Sequence, residues 1–269
     1  MIFDVGLYDG NDTAYYLSQG YRVVAIEADP VLAERAQSRF CLEIEQSRLT
    51  LLNIGIGPKE GVMQFWICDA VREWNSFDKA VASRLGLDNH PVDVYCRPFR
   101  DILMEYGVPY YLKIDIENYD RYCIEAIDPG NRPQYVSLEL SSFDDLIVLR
   151  QNGYNAFKLI HQSPRFGFSQ FHATASIESV VRAVCEPLQE HRGSQVGRKE
   201  NREGMPPGQS GPFGERTDGQ WDNFEQAAYD LLTFVLGHSQ YGNPPDWFIW
   251  FDIHATNKPD ILGFPPLYD

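Results

Sequence analysis

Short apolar runs alternate with amphipathic stretches along roughly the first 160 residues of the chain. The runs predict strands, and the stretches in which apolar residues recur every three or four positions predict helices. The first strand is expected at Ile2 to Val5, followed by a helix from about Asp12 to Gln19 that ends at Gly20. This alternation favours parallel strands joined by crossover helices, which is an α/β fold.

The later runs complete one central sheet. The run "YRVVAIEADP" predicts strand two, ending at Glu27, and Asp29 with Pro30 marks the start of the next helix. Strand three is predicted at Leu49 to Gly57. Further central strands are predicted in "PYYLKIDIE", "YVSLELS", "NAFKLIHQ" and "DWFIWFDIHAT", and two short extra strands in "GVMQFWIC" and "PVDVYCRPF". We therefore expect a Rossmann-like, seven-stranded, mostly parallel sheet.

One stretch breaks the alternation. Residues 192 to 220 contain seven Gly, three Pro and nine charged residues, which predicts a long loop before the last strand. Within it, "SGPFGER" predicts either a defined turn over a pocket or a plain surface loop. We interpret 1–269 as a single domain with a cofactor-binding core at 1–162, an insertion or lid at 163–221, and a final helix and strand at 222–269.

The net charge and the cysteine pattern argue against several functional classes for this protein. A formal net charge of −15 argues against a broad nucleic-acid-binding surface, which needs clustered Lys and Arg. Five widely spaced cysteines without a CxxC pair indicate reduced thiols in a cytoplasmic protein, and six histidines without paired spacing predict no metal site. No apolar run approaches the ~20 residues of a membrane span, and no signal-peptide pattern is visible.

The first strand-to-helix corner, "IFDVGLYDGNDTAYYL", is a candidate ligand site, because ligands of open α/β sheets bind at the carboxyl ends of strands. Tyr8 and Asn11 stand where a dinucleotide fingerprint requires glycine. Glu27, at the end of strand two, suits the hydroxyls of a ribose, and Asp4 favours a cation over a pyrophosphate. These residues predict S-adenosylmethionine, which carries two cationic groups and no phosphate. The alternative is that Asp4 and Glu27 are solvent-facing strand ends.

Five segments together carry a family resemblance. "DVGLYDGNDTAYYL", "VVAIEADP", "LNIGIG", "YLKIDIENYD" and "GYNAFKLI" resemble the FkbM family of S-adenosylmethionine-dependent methyltransferases, in the same order and at similar spacing. The resemblance implies a class I methyltransferase fold and a sugar or glycosylated metabolite as acceptor. The family's K-I-D-x-E-G motif matches residues 113–118, with Asn118 in place of Gly. Asn tolerates left-handed backbone angles better than most residues.

The candidate site residues fall into two groups. For cofactor binding they are Asp4, Gly6, Gly10, Asp12, Thr13, Glu27, Ala28, Asn53, Ser76 and Asp115, of which Ser76 rests on the resemblance. For catalysis they are Asp115, Glu117 and His161, which would hold the acceptor or accept its proton, with His172 as another candidate base. Trp66 and Trp74 are candidates to stack on the adenine or to belong to the core. The alternative reading of the motif is that Lys113 pairs with Glu117 and Asp115 caps the next helix.

We therefore expect an S-adenosylmethionine-dependent O-methyltransferase with a small-molecule or glycan acceptor and no nucleic-acid partner. Whether the protein forms a homo-oligomer stays open. Two alternatives remain: a nicotinamide-dependent oxidoreductase, which Tyr8 and Asn11 oppose, and a methyltransferase-like binding module without catalysis.

Overall fold

The computed structural model describes residues 1–140, 142–161, 211–217, 219–239, 251–259 and 261–262. The chain divides into two compact units, Met1–Glu139 and Leu140–Asp269.

The first unit contains two sheets with helices between their strands. Its strands are β1 (Ile2–Val5), β2 (Val23–Ile26), β3 (Leu49–Leu52), β4 (Gly55–Ile56), β5 (Gly61–Cys68), β6 (Asn89–Arg97), β7 (Tyr111–Ile114) and β8 (Tyr135–Glu139). Its helices are α1 (Asn11–Ser18), α2 (Pro30–Arg39), α3 (Cys41–Glu45), α4 (Lys79–Ala82), α5 (Phe99–Tyr106) and α6 (Asp120–Ile124). Two short 3-10 turns lie at Arg72–Trp74 and Arg84–Gly86.

The central sheet of this unit is parallel, in the order β3-β2-β1-β7-β8. Every residue of β1, β2 and β7 is buried, as expected of parallel strands covered on both faces. The strand order reverses at β1, because β2 pairs on one side of it and β7 on the other. Such a reversal opens a crevice at the carboxyl ends of the strands, where ligands of this architecture bind.

A second, three-stranded sheet has the order β4-β6-β5. The prediction of one strand from Leu49 to Gly57 was wrong, because the chain leaves the central sheet after Leu52 and Gly55–Ile56 pairs with β6 instead. The pairing requires a glycine, since a Cβ at Gly55 would lie 2.3 Å from the Phe77 ring. The two predicted extra strands, β5 and β6, pair antiparallel and enclose a small apolar cluster of Phe65, Ile67, Val94 and Cys96.

The start of α2 follows the predicted capping pattern. The Asp29 carboxylate accepts hydrogen bonds from the amides of Val31 and Leu32, and Pro30 occupies the first helical position. The buried face of the helix consists of Leu32, Ala33 and Ala36. The capping carboxylate therefore fixes the path of the chain immediately after β2, next to the candidate site.

The second unit contains α7 (Phe143–Gln151), β9 (Ala156–His161), α8 (Phe224–Ser239) and β10 (Phe251–Thr256). β9 and β10 pair antiparallel from Phe251↔His161 to Thr256↔Ala156. The buried Lys158 ammonium donates to the carbonyls of Gly214 and Thr217 at 3.2 and 3.0 Å. Residues 211–217, most of the "SGPFGER" segment, thus form a defined turn bonded to β9, and not a plain surface loop.

Each unit combines helices with strands, and the central sheet of the first unit is parallel, which confirms the predicted α/β class. The predicted insertion falls mainly on residues 163–210, which lie outside the described residues.

The sequence also predicts reduced cysteines and no membrane-spanning helix. Cys41, Cys68, Cys96 and Cys123 are free thiols, and Cys185 lies outside the described residues. Within the described part of the chain, no helix combines the length and apolar character that a membrane span requires.

Replacing Gly6 with Ala tests the packing between β1 and β7. Gly6 has a φ of +87°, and an added Cβ would lie 1.8 Å from the carbonyl oxygen of Asp115. Gly20 is a matched control, because it has a φ of +83° but nothing within 4 Å of an added Cβ. We expect Gly20→Ala to lower the free energy of unfolding by about 1–2 kcal/mol and Gly6→Ala by about 1–3 kcal/mol more. Urea denaturation measures both, and equal losses would contradict the close approach of the two strands.

Candidate functional site

The candidate site lies where β1, β2 and β7 end side by side. The parallel register places Val5 opposite both Ile26 and Ile114, so the residues that follow the three strands share one edge of the sheet. Gly6 follows β1, Glu27 follows β2 and Asp115 follows β7. Residues that are far apart in sequence therefore meet at the point of strand reversal, as the sequence predicts.

A buried lysine lies beneath this edge. The Lys113 side chain is 3% exposed, and its Nζ lies 3.1 Å from Asp4 Oδ1, 3.8 Å from Asp12 Oδ2 and 3.7 Å from Asp115 Oδ2. The same ammonium donates a hydrogen bond to the Gly6 carbonyl at 2.8 Å. Burial alone would lower the pKa of Lys113, but the three carboxylates outweigh it and raise the pKa well above its usual value. Lys113 is therefore charged at neutral pH.

This arrangement changes the interpretation of Asp4. The alternative that Asp4 is a solvent-facing strand end was wrong, because its side chain is 0% exposed. Its Oδ2 accepts the Thr13 hydroxyl at 2.6 Å, and its Oδ1 faces Lys113. The cation that Asp4 contacts is thus supplied by the chain itself. Asp4, Asp12 and Thr13 are all buried, so they shape the edge from beneath through Lys113.

The alternative pairing of Lys113 with Glu117 was also wrong. Lys113 faces the three aspartates, whereas Glu117 pairs with Arg84. Asp115 does not cap the following helix either, because Tyr119 is at the N-cap of α6 and no side chain caps that helix. Asp115 is instead the accessible member of the lysine cluster, with 44% of its side chain exposed.

Glu27 is buried at the end of β2, with 6% of its surface exposed. Its Oε2 accepts the Tyr8 amide at 2.7 Å, and its Oε1 accepts the Asp29 amide at 2.8 Å. Burial raises the pKa of Glu27 to about 7, although these two amide bonds oppose the rise. Asn53 Nδ2 donates to the Glu27 carbonyl at 2.8 Å and to the Ala28 carbonyl at 3.4 Å. The Glu27 carboxylate is therefore held in one orientation before any ligand arrives.

The two glycines of the first corner are required by contacts within the protein. A Cβ at Gly6 would overlap the Asp115 carbonyl, and a Cβ at Gly10 would lie 2.7 Å from the Phe40 ring. Both residues have positive φ angles, which L side chains rarely adopt. The glycines were expected to make room for a ligand; the space beside each Cα is occupied by the chain's own atoms.

The start of α1 carries carboxylates where a dinucleotide would need an open anion site. The Asn11 amide donates to the Asp9 carboxylate at 2.9 Å, and Asp12 lies in the first turn. A pyrophosphate binds at this position through free helix amides, and two nearby carboxylates oppose that binding. The structure therefore adds a second argument against the nicotinamide alternative.

Residues 72–76, which we call the edge segment, contact the ends of all three strands. Arg72 and Asn75 donate to Asp29 Oδ2 at 2.5 and 3.0 Å, beyond β2. Glu73 accepts the hydroxyl of Tyr8, beyond β1, at 2.6 Å. The fully buried Ser76 donates from its hydroxyl to the Glu117 carbonyl, beyond β7, at 2.7 Å.

In this segment the sequence pointed to Ser76, through the family resemblance, and to Trp74, as a candidate to stack on the adenine or to belong to the core. Arg72, Glu73 and Asn75 gave no signal, because their partners lie 43, 65 and 46 positions away and the segment has no periodic pattern. A polar run directly after a strand was the one available indication of a site.

Glu117 and Asn118 form a left-handed turn after β7. Their φ angles are +48° and +75°, which confirms that Asn118 replaces the family's glycine without leaving the left-handed region. The Glu117 side chain is 14% exposed, and its Oε2 lies 3.1 Å from an Arg84 nitrogen. Burial raises the pKa of Glu117 to about 8, and Arg84 opposes that rise.

The remaining candidates are two histidines and two tryptophans. His161 ends β9 in the second unit, and its side chain, like all of His172, lies outside the described residues. The rings of Trp66 and Trp74 each face a cation, with Lys79 Nζ 4.3 Å and the Arg84 guanidinium carbon 5.9 Å from the ring centroids. Neither indole is buried in the core.

The donor set at this edge is rich in carboxylates. Of the residues that the structure describes here, five carboxylates pair with three cations, Lys113, Arg72 and Arg84, and Glu27 accepts backbone amides; the five are Asp4, Asp12, Asp29, Asp115 and Glu117. An excess of negative charge disfavours a pyrophosphate and favours a cationic nucleoside. Among the described residues, no group of three His, Cys, Asp or Glu side chains is arranged to hold a metal ion.

Comparison with known proteins identifies a family and a similar solved structure. The profile of a family described as the Methyltransferase FkbM domain matches residues 4–162. The structure of methyltransferase FkbM from Methylobacillus flagellatus KT is similar to this chain at 20% sequence identity, with a TM-score of 0.41. The match covers 61% of this chain and 40% of that protein, so this chain spans about two fifths of its length. No curated protein matches.

Replacing Lys113 with Met tests the buried charge cluster. Without the ammonium, Asp4 and Asp12 would be buried without a compensating cation, which costs about 3–5 kcal/mol. We expect Lys113→Met to lower the free energy of unfolding at pH 7 by that amount, measured in urea. The exposed Lys59 provides the control, and Lys59→Met is expected to change it by less than about 0.5 kcal/mol. Equal stability of the two variants would contradict the role of Lys113.

Proposed function

The chain belongs to the FkbM methyltransferase family, and on this basis we propose that it is an S-adenosylmethionine-dependent enzyme that methylates a hydroxyl of a sugar or glycosylated metabolite. The observation that carries the proposal is the Glu27 carboxylate, buried and fixed by two amides at the point where the strand order reverses. The acceptor class rests on the family alone.

The residues at the edge fit S-adenosylmethionine. Each Glu27 oxygen accepts one amide and retains capacity for a second donor, so the carboxylate can accept both hydroxyls of a ribose. The excess of carboxylates suits the two cationic groups of the cofactor, with Asp115 as the accessible charge. When bound, S-adenosylmethionine would supply an electrophilic methyl group for transfer to the acceptor oxygen, with the sulfur as leaving group.

The chain's own residues would orient the acceptor and remove its proton. Asp115 and Glu117 follow β7, which pairs directly with β1, so both lie beside the proposed cofactor position. The exposed Asp115 is suited to hold an acceptor hydroxyl. Glu117 is suited to take the proton, because a base works best when its pKa is near the working pH.

The cofactor proposal is tested by calorimetry with S-adenosylhomocysteine and with NAD. We expect micromolar binding of S-adenosylhomocysteine and none of NAD; binding of NAD alone would contradict the proposal. Because only ionised Glu27 accepts both hydroxyls, and burial raises its pKa to about 7, affinity should rise as pH increases from 6 to 8, by up to about tenfold.

Two variants show whether Glu27 is responsible for that pH dependence. Glu27→Gln should weaken binding of S-adenosylhomocysteine and remove its dependence on pH. Glu34→Gln, at an exposed position of α2, should bind as the wild type does at every pH. Equal binding by the two variants would show that Glu27 does not contact the nucleoside.

The acceptor proposal is tested by transfer of a radiolabelled methyl group to a panel of glycans and glycolipids. Once an acceptor is found, Glu117→Gln should reduce turnover by about 100- to 10,000-fold without weakening S-adenosylhomocysteine binding, because it removes only the base. Glu125→Gln, on the exposed face beyond α6, is the control and should retain turnover. Methylation of amines or carboxylates alone would contradict an O-methyltransferase.

A further inference from the structure

Arg84 reaches the candidate base from a part of the chain to which the sequence assigned no function. It follows α4 and opens the 3-10 turn Arg84–Gly86. Its guanidinium lies 3.1 Å from Glu117 Oε2 and 5.9 Å from the centroid of the Trp74 ring. The Arg84 and Glu117 side chains are 31% and 14% exposed, so the ion pair is partly shielded from water.

The turn that presents Arg84 is strained. Leu85 has a φ of +58° and a ψ of +17°, an unfavourable region for a residue with a branched side chain. Its side chain is 88% exposed, so burial of Leu85 does not compensate for that conformation. Strained backbone persists where the surrounding structure or a function requires it. The strained residue, Leu85, directly follows Arg84, so the strain occurs next to the residue that pairs with Glu117.

Glu117 is held at its backbone as well as at its side chain. Its carbonyl accepts the hydroxyl of Ser76, and the Ser76 hydroxyl in turn accepts the amide of Asp78 at 2.9 Å. Asp78 also caps α4, the helix that leads to Arg84. One short stretch, residues 76–84, therefore fixes both the main chain and the carboxylate of Glu117.

Resting on the proposed function, we propose that Arg84 is a positioning residue for methyl transfer, which holds the Glu117 carboxylate ready to accept the proton of the acceptor hydroxyl. In that step the O–H bond breaks and the proton joins a Glu117 oxygen. The electron pair stays on the acceptor oxygen, which becomes the nucleophile.

The charges around Glu117 explain why a positioning cation is needed. Burial, together with Asp115 from the same loop and Asp120 from α6, raises the pKa of Glu117, which lies at about 8 with Arg84 in place. Arg84, from the connection between α4 and β6, is the cation that lowers it. Without Arg84 the pKa of Glu117 would be higher still, so the ionised carboxylate that can accept a proton would form only at higher pH.

The test is a titration of the Glu117 carboxyl carbon by NMR, in the full chain labelled with ¹³C at Glu side chains and without cofactor. Glu117→Gln assigns the resonance. We expect a wild-type midpoint near pH 8 and, in Arg84→Met and Arg84→Gln, a midpoint higher by at least about one pH unit. Arg84→Lys should restore most of the difference, whereas Arg121→Met, which removes an exposed pair with Glu125, should leave the Glu117 midpoint unchanged.

The pH dependence of turnover provides the second measurement. The acid limb of kcat/KM should move to higher pH in the Arg84 variants by the same amount as the NMR midpoint. An unchanged midpoint would overturn the proposal, and so would a moved midpoint with an unchanged acid limb. Failure of the proposed function is seen separately, as absence of S-adenosylhomocysteine binding to the wild type.

Discussion

The buried ammonium of Lys113 allows three aspartates to lie together beneath the carboxyl edge of the sheet. Two charges of like sign cannot be buried together without a counter-ion, and an unpaired buried carboxylate costs several kcal/mol. Lys113 also donates to the Gly6 carbonyl and so connects β7 to the loop after β1. The position of the first corner, of the start of α1 and of Asp115 therefore depends on a single side chain.

The small second sheet provides the other half of the site. Its strands β5 and β6 pair antiparallel, and the chain that connects them contains the edge segment and the turn of Arg84. Through Asp29, Tyr8 and Glu117, this connection reaches the ends of β2, β1 and β7. The antiparallel sheet thus acts as a support that holds polar side chains against the parallel one.

The edge contains carboxylates of two kinds. Asp4 and Asp12 are buried and share the ammonium of Lys113, so they serve the architecture. Glu27, Asp115 and Glu117 lie at the strand ends, where a cationic nucleoside and a hydroxyl acceptor would meet under the proposed function. The separation explains how an acidic motif can be part of the core and part of the site at once.

Local pattern in the sequence predicted most of the strands, the α2 cap at Asp29 and the left-handed conformation of Asn118. It also predicted that Glu27 and Asp115 lie at one edge of the sheet. These features could be predicted because periodicity, capping and parallel topology are encoded over short stretches. The tertiary structure alone decided that Asp4 faces Lys113, that Glu117 pairs with Arg84 and that Gly55–Ile56 joins another sheet. Such contacts join residues that are far apart in the sequence. Arg84 and Glu117 are separated by 33 positions, and Lys113 is separated by 107 positions from Gly6, to whose carbonyl it donates. A carboxylate's sequence neighbours do not reveal which cation folding will bring to it, since that depends on how the sheets pack.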